Sequence, residues 1–109
     1  EILFMKGETI MKNTKVVLEN TGIPVVIFER KGIYYVDADT SYSKGGLHFT
    51  HEFSVGVKIT DGKLEFLGGD EIACEDIEYT GDQDGRNYFE AIHPGLLDDL
   101  QNYLIGKEK

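Results

Sequence analysis

Strict alternation of apolar and polar residues over residues 47–60 constrains this chain most. The segment reads LHFTHEFSVGVKIT, and in a strand it would place one set of side chains on a single face: Leu47, Phe49, His51, Phe53, Val55, Val57 and Ile59. Alternation with a period of two is typical of a strand with one buried face. Asp61-Gly62, a pair favoured in two-residue type I′ turns, is followed by KLEFL, so the sequence predicts a β-hairpin.

The residues on both sides of this turn also predict the register of the hairpin. The expected cross-strand pairs are Thr60 with Lys63, Ile59 with Leu64, Lys58 with Glu65 and Val57 with Phe66. These pairs place apolar side chains together on one face and opposite charges together on the other, and each contributes about 0.2–1 kcal/mol. All of them therefore favour the same register.

Upstream segments predict further antiparallel strands. Residues 23–29 (IPVVIFE) and 33–38 (IYYVDA) are rich in β-branched and aromatic residues. Arg30-Lys31-Gly32 separates them, which predicts a second hairpin. Residues 14–20 (TKVVLEN) fit a helix ended by glycine or a first strand equally well.

The segment that follows the first hairpin has a less regular pattern. Gly68-Gly69 is typical of a turn. Within residues 71–80 the apolar residues change parity, which predicts a bulge or bend near Glu75-Asp76. Residues 81–85 (GDQDG) predict a polar loop with a glycine at positive φ, and residues 86–92 (RNYFEAI) predict a last strand.

The apolar pattern becomes helical in residues 93–106 (HPGLLDDLQNYLIG). The helical stripe consists of Leu96, Leu97, Leu100, Tyr103 and Leu104. Pro94 suits the first turn, Asp98 and Asp99 lie near the positive end of the helix, and Gly106 can cap the other end. This segment therefore predicts an amphipathic C-terminal helix.

These elements predict an α+β fold: a six- or seven-stranded antiparallel meander sheet or partly closed barrel, with the C-terminal helix packed on it. A length of 109 residues suits one domain, which we assign to residues 11–109.

Residues 1–10 are either an N-terminal extension or translated upstream sequence of a bacterial gene. The second alternative arises because the codons of Lys6-Gly7-Glu8, shortly before Met11, could form a ribosome-binding site.

The composition favours a cytoplasmic protein. No apolar run reaches the roughly 20 residues of a membrane-spanning helix, and the N-terminus lacks the order of a secretory signal. Cys74 is the only cysteine, so no internal disulfide can form, which suits a reducing compartment.

The charge of the chain is distributed unevenly. Residues 1–60 contain seven acidic and seven basic residues, whereas residues 61–109 contain thirteen acidic and four basic residues and carry the whole net charge of −9. The candidate partner-binding carboxylates are Glu65, Asp70, Glu71, Glu75, Asp76, Glu78, Asp82 and Asp84. Such a surface repels nucleic-acid phosphates and attracts basic proteins.

We therefore expect a non-enzymatic interaction module for a basic protein partner, with an inhibitor or nucleic-acid mimic as a special case. An acidic face without any partner is the other interpretation of the same charges. No direct nucleic-acid binding, membrane association or cofactor is expected.

Residue types that bind metals are present, but their spacing predicts no metal site. Asp82-Gln83-Asp84-Gly85 departs from the spacing of an EF-hand loop. His48 and His51 would point to opposite faces of an extended strand, so these two histidines cannot join His93 or Cys74 at one zinc ion without a bulge. No nucleophile motif or phosphate-binding loop is present.

His51 is unusual because it lies on the predicted apolar face, between Phe49 and Phe53. It is either a hydrogen-bonded core histidine or the polar group of an apolar pocket, together with Tyr34 or Tyr35. The pocket gives the alternative function: a small-molecule-binding protein, or an enzyme that uses His51 for acid–base chemistry between the sheet and the helix.

Overall fold

An open antiparallel sheet with a layer of helices on one face forms the fold. The computed structural model describes residues 13–72 and 75–108. Within these ranges the elements are β1 Thr14–Val17, β2 Pro24–Arg30, β3 Ile33–Asp39, β4 Tyr42–Lys44, β5 Leu47–Phe49, β6 Glu52–Thr60, β7 Lys63–Ile72, β8 Asp76–Tyr79, α1 Gln83–Ile92 and α2 Leu96–Glu108.

Six of these strands form the main sheet in the order β1-β2-β3-β6-β7-β8, and β4 and β5 form a separate two-stranded sheet. The predicted α+β class and antiparallel meander are thus confirmed, with an open sheet instead of a barrel. The ambiguous residues 14–20 contain a strand, β1, which pairs with β2. Residues 1–10, and with them the question of their origin, lie outside the described residues.

The two predicted hairpins are present. All four pairs expected across Asp61-Gly62 are found. The φ angles of these two turn residues are 54° and 75°, as a type I′ turn requires. The chain reverses in the same way at Lys31-Gly32, where φ is 54° and 82°, and Arg30 therefore pairs with Ile33.

The predicted long strand over residues 47–60 is in fact two strands of different sheets. β5 pairs with β4, whereas β6 begins at Glu52 and pairs with β3 and β7. Leu47 and Phe49 are 63% and 41% exposed, so they do not share the buried face of β6. The backbone N–H and the hydroxyl of Thr40 donate to the carbonyl of His51 (2.8 and 2.9 Å) and fix the chain where it enters β6.

A β-bulge interrupts β7. The register opposite β6 shifts by one residue just before Gly68, where Leu67 is the extra residue and Gly68 has a φ of 117°. The bulge reverses the alternation, so that Glu71 faces the helices and Asp70 faces away from them. The turn predicted at Gly68-Gly69 is therefore wrong, because both glycines lie within the strand.

The predicted change near Glu75-Asp76 is a reversal of the chain between two paired strands. Ile72 of β7 pairs with Asp76 of β8 in antiparallel orientation. The change of parity in this segment therefore marks the bend between β7 and β8, and β8 is the last strand of the sheet.

Residues 86–92, predicted as a strand, belong to helix α1. Asp82 is its N-cap, and its side chain accepts a hydrogen bond from the Gly85 backbone N–H (2.9 Å). Gly85 does not have the expected positive φ; its role is steric, because a Cβ atom there would lie 1.9 Å from the Thr80 carbonyl oxygen. Phe89, fully buried, packs the helix against the sheet.

The C-terminal helix is confirmed as α2, which packs on β6 and β7. Its inward residues, each at most 1% exposed, are Leu96, Leu97, Leu100 and Leu104. Pro94 precedes the helix, and Gly106 lies inside it instead of capping it. Neither described helix combines the length and the hydropathy needed to cross a membrane.

Candidate functional site

The outward face of the sheet, opposite the helices, carries two cross-strand rows rich in carboxylates. The first row runs across β3, β6, β7 and β8 and consists of Asp37, Ser54, Asp70 and Glu78. The second row crosses the same strands and consists of Asp39, Glu52, Ile72 and Asp76. We call the six exposed carboxylates of these rows the acidic sheet face: Asp37, Asp39, Glu52, Asp70, Asp76 and Glu78.

The acidic sheet face concentrates negative charge. On these four described strands, no lysine or arginine occupies either row, and Lys15 stands only at the far end of the first row, on β1. The Ser41 backbone N–H donates to Asp39 Oδ1 (3.0 Å) and lowers the pKa of this carboxyl. Neighbouring strands lie about 4.7–4.9 Å apart, so the charges reinforce one another.

Four of the eight predicted partner-binding carboxylates lie away from this face. Glu65 is outward-facing but lies toward the opposite end of the sheet, where its Oε1 is 3.8 Å from Lys58 Nζ. Asp82 and Asp84 lie at the start of α1. Glu71 is only 1% exposed, so its assignment to an exposed surface is wrong; the bulge in β7 turns it inward.

The other predicted carboxylates are exposed near one another. Asp70, Asp76 and Glu78 belong to the acidic sheet face, and Glu75 lies in the bend before β8. The sheet adds Asp37, Asp39 and Glu52 from the half of the chain whose charges balance. Sequence reasoning missed these three because the contribution of each depends on which strands are neighbours.

A second polar cluster lies on the inner side of the same sheet. Glu71 Oε1 accepts a hydrogen bond from the Tyr79 hydroxyl. The same oxygen lies 2.9 Å from His93 Nε2. Glu71 Oε2 contacts His51 Nε2. The candidate ligand atoms of His51, Glu71 and His93 all lie within 4.8 Å of one another. We call these three residues the His-Glu-His cluster.

The packing around the His-Glu-His cluster closes one side and leaves another open. The ring centroid of His93 lies 4.8 Å from that of Phe53 and 4.9 Å from that of Phe89. The side chain of His93 is 10% exposed, whereas that of His51 is 36% exposed. Solvent therefore reaches the cluster from the side of His51.

Opposing influences act on the two acidic groups of this region. Burial alone would raise the pKa of Glu71, but the hydrogen bonds with Tyr79, His93 and His51 outweigh it, so that the pKa is lowered. Burial and the neighbouring carboxylate of Glu71 raise the pKa of Tyr79. Glu71 is thus an ionised acceptor, and Tyr79 is a protonated donor.

The structure gives His51 a partner that the sequence did not predict. Tyr34 is buried in the core, and Tyr35 lies on the outer face, where its ring stacks on Phe28 at 5.1 Å. The contact that the structure gives His51 is with Glu71 of β7.

The remaining residues of metal-binding types do not all lie together. His48 lies on β5, where its Nδ1 is 3.1 Å from Ser43 Oγ, and it takes no part in the His-Glu-His cluster. His93 does join His51, although residue spacing gave no indication of this. Cys74 lies outside the described residues.

Glu71 was named from the sequence as a surface carboxylate and His93 as a residue of a metal-binding type, but the sequence did not predict that they meet, and Tyr79 was not singled out. The available signal was Gly68-Gly69, because a bulge at two glycines changes which side of the strand each later residue occupies. The contact between Glu71 and His93 depends on α1, because His93 caps the end of this helix. Most of the α1 segment was predicted as a strand.

Comparisons with protein-family models, with curated protein sequences and with solved structures find no match to this chain. The candidate functions therefore rest on the acidic sheet face and the His-Glu-His cluster.

Proposed function

We propose that this protein is a small acidic interaction module whose acidic sheet face binds a basic protein partner. The observation that carries this proposal is the alignment of six exposed carboxylates in two neighbouring cross-strand rows. Like charges at such spacing repel one another, and a surface of lysine and arginine side chains relieves this repulsion. A basic groove that ordinarily binds nucleic acid is one such surface.

The neighbouring row of the same face supports a protein as the partner. The stacked rings of Phe28 and Tyr35 lie in this row, followed by Gly56 and Gly68 on the next strands. Leu67 at the bulge is 36% exposed. Protein interfaces commonly combine aromatic and apolar contacts with a charged rim. The apolar row would provide contact area, while the carboxylates provide attraction and orientation.

Two variants of equal charge test this proposal. The face variant changes five carboxylates of the acidic sheet face to amides, at Asp39, Glu52, Asp70, Asp76 and Glu78. The control variant makes five equivalent changes at exposed positions elsewhere, at Glu19, Glu29, Glu65, Asp84 and Asp98. Immobilised wild type and both variants are incubated with native lysate at low and high salt, and the captured proteins are quantified.

A basic protein captured by wild type and by the control variant, but not by the face variant, is the expected result. Its capture should decrease at high salt because exposed charges are screened. Equal loss in both variants would show that net charge alone, and not this face, causes capture, and would overturn the proposal.

A second candidate function is binding of a small molecule near His51. This candidate is favoured because the imidazole of His51 is partly exposed to solvent, and its Nε2 contacts the buried Glu71 carboxylate. A thermal-shift screen of small polar molecules tests this candidate. A compound that stabilises wild type but not His51→Ala would support it, and equal stabilisation of both proteins would exclude His51 from the site.

A further inference from the structure

The geometry of the His-Glu-His cluster points to a binding site for a divalent transition-metal ion, with zinc as the preferred metal. His51 and His93 present Nε2, and Glu71 presents a carboxylate oxygen, toward one another. The three side chains come from the segment before β6, from β7 and from the end of α1. The site therefore exists only in the folded chain.

The donor set determines the class of metal. Two imidazole nitrogens and one carboxylate oxygen suit zinc and its first-row neighbours, whereas magnesium and calcium prefer oxygen ligands only. Three protein ligands leave a fourth tetrahedral position for water or another small ligand. The exposed side of His51 is where this position would open to solvent.

The dimensions of the cluster are close to those that a metal requires. Zinc binds nitrogen and oxygen at about 2.0–2.2 Å, so the ligand atoms of a tetrahedral site lie about 3.3–3.6 Å apart. The atoms of the cluster all lie within 4.8 Å of one another, and His93 Nε2 is 2.9 Å from Glu71 Oε1. The side chain of His51 is partly exposed and lies outside the buried core, so a small shift of its ring would change this spacing without displacing core residues.

The surroundings would hold the ligands in place. The Tyr79 hydroxyl donates to Glu71 and fixes the orientation of its carboxylate, as outer partners of metal ligands commonly do. Phe53 and Phe89 contact the ring of His93 and restrict its rotation. Binding requires each Nε2 to present its lone pair, so its proton must reside on Nδ1 or be released to solvent.

Charge also favours a bound cation. Glu71 is 1% exposed, and its hydrogen-bonding partners are Tyr79 and the two histidines. A divalent ion bound between these side chains would place positive charge beside a carboxylate that is otherwise buried away from solvent. The net charge of −9 further attracts cations to the protein.

The test is titration of metal-free wild-type protein with Zn²⁺ by calorimetry, and with Co²⁺ by visible absorption, which reports tetrahedral coordination. We expect one ion per chain and a thermal stabilisation that increases with metal concentration. His51→Ala should weaken binding at least about tenfold, since even the loss of an outer partner of a ligand costs about 10–100-fold. Mg²⁺ and Ca²⁺ should not compete.

Three variants serve as controls, each with circular dichroism to verify folding. His48→Ala removes an exposed histidine outside the cluster and should leave Zn²⁺ affinity unchanged. Cys74→Ser tests whether a thiolate binds the ion instead, and the face variant tests whether surface carboxylates do. The inference is overturned if wild type does not bind Zn²⁺ or if His51→Ala binds it as tightly as wild type. Loss of binding in Cys74→Ser or in the face variant would also overturn it.

Discussion

At the scale of single residues, Asp99 connects α2 to the turn between β1 and β2. Its carboxylate accepts hydrogen bonds from the backbone N–H groups of Asn20 (3.1 Å) and Thr21 (2.7 Å) and from the Thr21 hydroxyl (2.9 Å). Burial alone would raise the pKa of Asp99, but these hydrogen bonds have the larger effect, so the pKa is lowered. The ionised carboxylate therefore stabilises the fold.

Asp99→Asn should cost about 1–3 kcal/mol near neutral pH, because the charge and one of the two acceptor oxygens are lost. A lowered pKa in the folded state means that this stabilisation is complete above the unfolded value of about 3.9 and decreases as pH falls through the folded value. Denaturant unfolding at a series of pH values should therefore show a shallower acid loss in the variant. The exposed neighbour Asp98→Asn is the control, and equal behaviour of both variants would contradict the assigned role.

Gly69 lies where β6 and β7 approach closely after the bulge. A Cβ atom there would lie 2.2 Å from the Ser54 carbonyl oxygen and 2.7 Å from Val55 Cα. Gly69→Ala should therefore destabilise the protein by about 1–3 kcal/mol or more, because backbone atoms must move. Gly106→Ala is the control, since it has open space within α2 and should stabilise by up to about 1 kcal/mol. Similar unfolding midpoints for both variants would argue against the register after the bulge.

At the scale of elements, the turn at Asp61-Gly62 sets the register of the central hairpin. Both residues have positive φ, which alanine adopts at a cost of about 1 kcal/mol or more. Replacing the pair by Ala-Ala should lower the free energy of unfolding by at least that amount. An unchanged melting temperature would indicate a different turn and a different pairing of β6 with β7.

Leu100 is the fully buried centre of α2. Leu100→Ala should cost about 2–5 kcal/mol, because it removes apolar contacts and leaves a cavity against the sheet. Asn102→Ala, at an exposed position of the same helix, should have little effect. Denaturant unfolding measures both variants. A loss below about 1 kcal/mol for Leu100→Ala would mean that α2 does not close the core.

The elements also show what the sequence can predict. Asp61-Gly62 and the alternation of β6 carry local information, so the hairpin and its register were predicted correctly. Helix α1 was missed because only Phe89 of its apolar residues is fully buried, and its N-cap, Asp82, lies in a segment typical of a loop. Burial of Glu71 depends on a bulge that alternation alone does not reveal.

At the scale of the whole molecule, the fold places the two candidate sites on opposite faces of one sheet. Alternation along β7 turns Asp70 toward the acidic sheet face and Glu71 toward the His-Glu-His cluster. The uneven charge of the chain was evident from the sequence, and we infer its function from it. The exact position of the acidic surface was not evident from the sequence. Three of its six carboxylates come from strands in residues 1–60, where acidic and basic residues balance.

The association rate of a captured basic partner, measured at increasing ionic strength for wild type, the face variant and the control variant, tests the proposed function most directly. Electrostatic attraction acts mainly on encounter, so the face variant should associate more slowly, with little change in dissociation, and should lose most of the salt dependence. The control variant should retain most of the association rate of wild type and most of its dependence on salt. Association that slows equally in the two variants, or that does not depend on salt in wild type, would contradict a docking role for the acidic sheet face.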